Sequence, residues 1–130
     1  VKGALGYVEY AYAKKNNIPF LQLKNKDGNY VAPDEKTFSA AAAGVDWFSV
    51  PGMGVSMVDA KGADSWPIST ASFILMYKQP ADKAQSAEVI KFFDWAFKNG
   101  KQMAADLDYV ALPDSLTNEI RSKVWSQIQK

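Results

Sequence analysis

The chain has 130 residues, of which 48% are hydrophobic, and its 15 basic and 14 acidic side chains give a formal net charge of +1. This balance is typical of a globular protein. It offers no basic stripe for nucleic acid, and no apolar run approaches the roughly 18 residues of a membrane span. The sequence contains no Cys and no His, which excludes thiolate catalysis, Ser-His-Asp triads and zinc sites built from imidazole and sulfur.

The first third of the chain alternates strand and helix signals, the pattern of an α/β protein. Turn residues and proline mark the boundaries between these elements. The predicted elements, in chain order, are a strand at Leu5–Val8, a helix at Glu9–Lys15, a strand through Phe20, Leu21 and Leu23, a hairpin turn at Asp27–Asn29 leading into Tyr30–Val31, and a helix from Pro33 to Ala43 with Gly44 in the C′ position.

The middle of the chain is irregular and then strongly apolar. Gly44 to Ser65 is predicted to be mostly loop with short strand pieces. Within it, Gly52–Gly54 could suggest a phosphate-binding loop, but no Gly-Lys-Ser/Thr follows, so a simple turn is expected. Phe73–Tyr77, by contrast, is a continuous apolar run and predicts a strand buried on both faces.

The last third is predicted to be helical. Ser86–Asn99 carries a broad apolar stripe, and Gly100 stops or breaks that helix. Pro113 opens a final helix in which apolar residues recur every four positions. These residues are Leu116, Ile120, Val124 and Ile128, with Trp125 widening the face. Both stripes are expected to face a core, because every amphipathic helix needs such a face.

Two groups of polar residues are candidates for chemistry. Asp106 and Asp108 are the nearest approach to a carboxylate pair, but residues at i and i+2 do not face each other on a helix. Helix-end capping and surface solvation are therefore expected of them. Ser69, Thr70 and Ser72 could bind an oxyanion, yet hydroxyls are also common where strands start, and no cationic partner lies nearby in the sequence.

Arg121 is the single arginine of the chain. It follows Ile120 on the predicted final helix, so its guanidinium is expected to point to solvent or to an acidic neighbour such as Glu119 or Asp114. A buried oxyanion site more often combines an arginine with backbone amides at a helix N-terminus. Arg121 is therefore a poor candidate for a ligand-binding residue.

Three stretches in a fixed order carry a family resemblance. They read GALGYVEYAYAKKNN from Gly3 to Asn17, WPISTASFILMYK from Trp66 to Lys78, and KFFDWAFKNGKQMAADLDYVALP from Lys91 to Pro113. Together they resemble the C-terminal portion of the periplasmic phosphate-binding proteins that serve the phosphate ABC importer. The chain starts at Val1 without a signal peptide, and a mature or proteolysed fragment of such a protein would explain both facts.

The resemblance implies the C-terminal part of a two-lobed, type II periplasmic-binding-protein fold of the α/β class, incomplete without its N-terminal portion. Residues 1–65 would finish the second lobe and residues 73–130 would supply a strand and helices to the first lobe. The hinge crossing would lie at 66–72. Its hinge residues would be Trp66, Pro67, Ile68, Ser69 and Thr70.

The resemblance also implies a function: capture of inorganic phosphate in the periplasm and delivery to the importer. In the family, backbone N–H groups, hydroxyls, one Arg and one Asp hold phosphate without water, and the Asp accepts a proton that sulfate lacks. Those segments lie upstream, so no ligand-binding, catalytic or metal-binding residue and no cofactor is predicted here. A receptor for another oxyanion is the alternative, and a phosphate-handling enzyme is less favoured.

The implied partners are inorganic phosphate, the membrane subunits of the importer, and either the missing N-terminal portion or a second copy; no nucleic acid is expected. The N-terminal portion or a second copy is expected to lie against Phe73–Tyr77, because an uncovered strand edge favours association. Val50–Val58 (VPGMGVSMV) is more apolar than the family pattern suggests. It is interpreted as a variable loop, with contact to the importer as the alternative.

Overall fold

The computed structural model describes residues 2–129, in which helices predominate over strands. The elements are α1 (Tyr10–Lys15), β1 (Leu23–Lys24), β2 (Tyr30–Val31), α2 (Glu35–Ala43), a 3₁₀ turn (Pro51–Met53), α3 (Lys83–Asn99), α4 (Lys101–Asp106), α5 (Asp114–Glu119), a π-helical turn (Ile120–Val124) and a 3₁₀ turn (Trp125–Gln127). The described chain is therefore helix-rich with a small antiparallel sheet, which is compatible with part of a larger α/β domain.

The hairpin predicted from Asp-Gly-Asn is confirmed. Strands β1 and β2 pair antiparallel, with Leu23 opposite Val31. Gly28 has φ +90°, a left-handed conformation that glycine adopts without a steric penalty. The buried amide of Asn25 donates from Nδ2 to the carbonyl of Ala63 at 2.8 Å. This contact ties the hairpin to the loop that precedes Trp66.

Helix α2 is confirmed within two residues of its predicted start. Asp34 Oδ1 accepts from the Thr37 amide at 2.8 Å, and Thr37 Oγ1 accepts from the Asp34 amide at 3.0 Å. This reciprocal capping box satisfies two amides that a helix start leaves unpaired. Gly44 is the C-cap of this helix, with φ −80°, and so lies one position before the C′ position predicted for it.

Helix α1 is confirmed with Glu9 as its N-cap. At its end, Asn17 takes a left-handed backbone with φ +53°. The amides of Asn17 and Ile18 return to the carbonyls of Lys14 and Ala13, at 3.1 and 2.9 Å. These two bonds form a Schellman motif, which satisfies the last carbonyls of the helix.

Two predicted strands, at Leu5–Val8 and Phe73–Tyr77, are absent from the described part of the chain, and the strand predicted from Phe20 is reduced to β1. The side chains of Leu5 and Leu75 are 84% and 93% exposed. A strand is stable only where a neighbour pairs with its N–H and C=O groups. No strand of residues 2–129 lies beside either segment, so apolar composition alone does not produce a sheet.

The stretch from Gly44 to Ser65 is irregular, as predicted. It contains the 3₁₀ turn at Pro51–Met53 and a single antiparallel bridge between Val58 and Ile68. Gly52 has φ +72°, in agreement with a turn at Gly52–Gly54.

The helical last third is confirmed with two changes of boundary. Helix α3 begins at Lys83, three residues before the predicted start, because the Asp82 side chain caps it by accepting from the Gln85 amide at 2.9 Å. The final helix is regular only to Glu119 and then continues as the π and 3₁₀ turns. Its apolar face is nevertheless buried or half-buried, and Trp125 stacks on Phe97 at 5.5 Å.

The apolar core draws on both halves of the chain. Its buried members are Ala41, Ala42, Trp47, Met57, Ala60 and Leu116. The indole N–H of Trp47 donates to the Ala42 carbonyl at 2.8 Å, so the buried indole is satisfied. Leu116 of α5 thus packs among residues that precede Trp66. The assignment of residues 1–65 and 73–130 to separate lobes stays a prediction.

Candidate functional site

A cavity of about 550 Å³, here named the shared cavity, lies between the two halves of the chain. Its walls are mostly apolar and include Phe38, Trp47 and Phe97. Residues 68–73 form one wall, and residues 108–113 form another. The predicted hinge crossing therefore borders this space directly.

Of the five predicted hinge residues, Ile68, Ser69 and Thr70 line the shared cavity, and the burial of the five differs. Trp66 and Ser69 are buried, Pro67 is half-buried, and Ile68 and Thr70 are exposed. The Trp66 amide donates to the carbonyl of Thr37 at 3.0 Å. The segment is thereby anchored to α2. Their role as a hinge is untested and stays a prediction.

The three hydroxyls near the crossing do not converge on one point. Ser69 Oγ donates to the Trp66 carbonyl at 3.0 Å, whereas Thr70 and Ser72 are exposed. Lys101 is the one basic residue of the cavity lining in the described chain, and its Nζ pairs with Asp114 at 2.7 Å. A dry oxyanion site needs several donors aimed at one position, and this wall does not supply that arrangement.

Arg121 forms hydrogen bonds with side chains of two helices, α3 and α5. Its Nε donates to Asp94 Oδ1 of α3 at 2.7 Å, and its Nη1 donates to Asn118 Oδ1 at 2.9 Å. The expected partners Glu119 and Asp114 were wrong, because these carboxylates pair with Lys123 and Lys101. Asp94 comes within reach only because the π-helical turn that carries Arg121 lies beside α3 in three dimensions.

Asp94 is the most strongly paired carboxylate of this region. The pKa of Asp94 is lowered from its ordinary value, first by the hydrogen bond from Lys98 and then by the one from Arg121. The Lys98 contact is 2.5 Å long and joins i to i+4 on α3. Together these bonds keep the carboxylate ionised and make it a structural link, with its acceptor oxygens already occupied.

Asp106 and Asp108 serve different partners. Asp106 accepts from Gln102 Nε2 at 2.8 Å, whereas Asp108 accepts from Lys14 of α1. The hydrogen bond with Asp108 is also the main reason that the pKa of Lys14 is raised. The two carboxylates therefore do not form an acid–base pair, in agreement with the expectation from their spacing.

Two contacts at the cavity were not predicted from the sequence: the Lys14–Asp108 pair and a bond from the Tyr109 hydroxyl to Glu9 Oε1 at 2.5 Å. The bond to Glu9 raises the pKa of Tyr109. Their residues are about a hundred positions apart, so no local pattern could reveal them. The one signal in the sequence was Asp108 itself, because glycine is the residue usually found at this position after a helix.

A second cavity, of about 580 Å³, lies beside the first residues of the apolar stretch Val50–Val58. Residues 48–53 line one side, and Ile74, Leu75 and Met76 contribute to another. Lys123 of the π-helical turn lies over the Phe48 ring at 4.4 Å, a cation–π contact that links this turn to the residues before Val50. Whether Val50–Val58 is a variable loop or touches an importer stays a prediction.

Residues 2–129 contain no cluster of three His, Cys, Asp or Glu side chains that could bind a metal ion. None of their helices has the length and apolar character that crossing a membrane requires.

Comparison with known proteins identifies relatives along essentially the whole chain. No family model matches it. It is 43% identical over 129 residues to the phosphate-binding protein PstS of Pasteurella multocida, a match covering 99% of this chain and 38% of that protein. For PstS of Haemophilus influenzae the identity is 40% over 130 residues, covering 100% and 39%. For PstS of Xylella fastidiosa it is 40% over 122 residues, covering 94% and 34%.

The chain thus spans less than two fifths of the length of these curated relatives. Identity at this level implies the same fold over the matched segment. Along its whole length the chain is therefore similar to part of the phosphate-binding proteins PstS, and the resemblance predicted from its three motifs is confirmed.

Proposed function

We propose that this chain is part of a solute-binding protein that captures inorganic phosphate in the periplasm and delivers it to the membrane subunits of an ABC importer. The observation that carries the proposal is an identity of 40–43% with phosphate-binding proteins across 94–100% of the chain. The names of these relatives describe binding, which favours a receptor over an enzyme.

The proposed parent has the two-lobed, type II architecture, with residues 1–65 in one lobe, 66–72 at the hinge and 73–130 in the other lobe. The position of the shared cavity supports this division, since it is lined from both sides of the crossing. The crossing lies outside the helices and the two strands, which also supports the division, because hinges are usually a few loop residues that absorb changes in φ and ψ.

The phosphate-contacting groups are proposed to come from the part of the parent that this chain does not include. Arg121 is occupied by Asp94, and Ser69 by a backbone carbonyl. A site that rejects sulfate needs an acceptor for the phosphate proton in a dry environment. The mostly apolar shared cavity, whose Asp108 is paired with Lys14, does not resemble such a site.

The N-terminal portion of the parent is proposed to cover Phe73–Tyr77. Leu75 and Tyr77 are 93% and 84% exposed, and Phe73 and Ile74 are about half-exposed. An extended apolar segment with unpaired backbone groups is a template for an added strand. The other possible occupant is a second copy of the chain. A monomeric parent protein in which Phe73–Tyr77 is protected from amide hydrogen exchange would exclude that second copy.

The parent protein can be tested by calorimetric titration with phosphate and, in parallel, with sulfate. We expect one saturable phosphate site and no heat from sulfate at the same concentrations. Uptake of labelled phosphate by cells that lack the gene should fall and should recover when it is restored. Preference for sulfate or another oxyanion would support the alternative receptor, and release of phosphate from an ester would support an enzyme.

A further inference from the structure

Two side-chain contacts reach from the start of the chain to the connection between α4 and α5. Lys14 Nζ donates to Asp108 Oδ1, across 94 positions, and the Tyr109 hydroxyl donates to Glu9 Oε1, across 100 positions. Three of these four residues, Glu9, Asp108 and Tyr109, line the shared cavity. The contacts therefore join the two sides of that cavity.

Helix α1 is otherwise attached to its own half of the chain. The Tyr10 ring packs edge-on against Phe38 of α2 at 5.1 Å and tilted against Phe20 at 5.9 Å. Ala13 is buried on the same helix. Glu9 and Lys14 add polar contacts to this apolar packing, and their partners, Asp108 and Tyr109, belong to the other half of the chain.

The backbone at Asp108 adds an independent observation. Helix α4 ends in a Schellman motif, in which the amides of Asp108 and Tyr109 donate to Ala105 and Ala104, each at 2.9 Å. Asp108 holds the left-handed position with φ +61°, where glycine is strongly preferred. Glycine would end the helix with less strain, but it could not supply the carboxylate that meets Lys14.

We propose that Glu9, Lys14, Asp108 and Tyr109 form a clasp that holds α1 against the α4–α5 connection and sets how far the shared cavity opens. The clasp is built from one ion pair and one hydrogen bond at the cavity border. The raised pKa values of Lys14 and Tyr109 have these same contacts as their main cause. In the two-lobed parent of the proposed function, the clasp favours the closed arrangement, but its existence does not depend on the ligand.

The direct test is residue-resolved amide hydrogen exchange in the 130-residue chain with Asp108→Gly. This change removes the carboxylate and places the preferred residue at the end of α4. The amides of α1 should exchange about 1.4- to 5-fold faster, as expected for a partly exposed ion pair. The Tyr109 amide, which belongs to the α4 cap, should keep its protection.

Asn17→Gly is the matched control, because it also places glycine at the left-handed position of a Schellman motif, here at the end of α1. It should not accelerate exchange in α1. Adding Lys14→Met to Asp108→Gly should cause no further increase, since both changes break one contact. The proposal is overturned by unchanged α1 exchange in Asp108→Gly, by additive effects of the two changes, by equal acceleration in Asn17→Gly, or by a wild-type α1 that exchanges like free peptide.

Discussion

At the scale of single residues, the backbone of Gly44 passes close to the carbonyl of Lys61, and an added Cβ would lie 2.1 Å from that oxygen. The φ of Gly44 is −80°, a value open to any residue. Glycine is therefore required here by the approach of another segment. The same contact brings the loop before Ser65 against the end of α2.

Gly44→Ala should lower the free energy of unfolding by about 1–3 kcal/mol, because the loop at Lys61 must shift to admit the methyl group. Urea unfolding, followed by far-UV circular dichroism, measures this change. Gly54→Ala is the matched control: its φ is −73° and its added Cβ meets nothing within 4 Å. Equal effects of the two substitutions would contradict the steric explanation.

At the scale of elements, α3 is joined to the final helix by charge and by aromatic stacking. Asp94 accepts from Arg121 at 2.7 Å, and the rings of Phe97 and Trp125 stack with an interplanar angle of 2°. Arg121 also lies over the Phe97 ring at 5.9 Å. Changes at Asp94 should therefore alter the docking of one helix on the other.

Asp94→Asn should make stability less sensitive to acid. The pKa of Asp94 is lowered in the folded chain, so its contribution is complete above the pKa of the unfolded carboxyl and is lost as pH falls through the folded value. The urea midpoints of wild type and variant should therefore differ most above about pH 5 and converge as the pH falls below about 4. Glu88→Gln, which removes an exposed carboxylate paired with Lys91, controls for charge loss on α3. A constant gap between wild type and Asp94→Asn would contradict the assignment.

The elements predicted correctly are those with local signals. The hairpin turn at Gly28 and the capped start of α2 at Asp34 satisfy their backbone groups within a few residues, so composition and spacing indicate them. The strand predicted at Phe73–Tyr77 depends on a partner elsewhere in the chain or in another chain. The Asp94–Arg121 and Lys14–Asp108 pairs likewise depend on packing between distant elements, and sequence spacing does not encode that packing.

At the scale of the whole molecule, the exposed apolar segment Phe73–Tyr77 is expected to bind another protein surface. We expect the isolated chain to associate, so light scattering should give a mass above the 14.3 kDa of the monomer. Leu75→Lys should reduce this mass, because it places a charge at the edge. Leu107→Lys, at an exposed leucine outside the segment, should not. A monodisperse, cooperatively unfolding wild-type monomer would contradict the expectation.

The central claim is that this chain is a segment of a phosphate receptor whose ligand contacts lie elsewhere in the parent. Calorimetric titration with phosphate, on the chain alone and on the chain mixed with the remaining portion of the parent, tests it most directly. The chain alone should give no saturable heat, whereas the reconstituted mixture should show one phosphate site. Tight single-site binding by the isolated chain, or no binding by the reconstituted protein, would contradict the account.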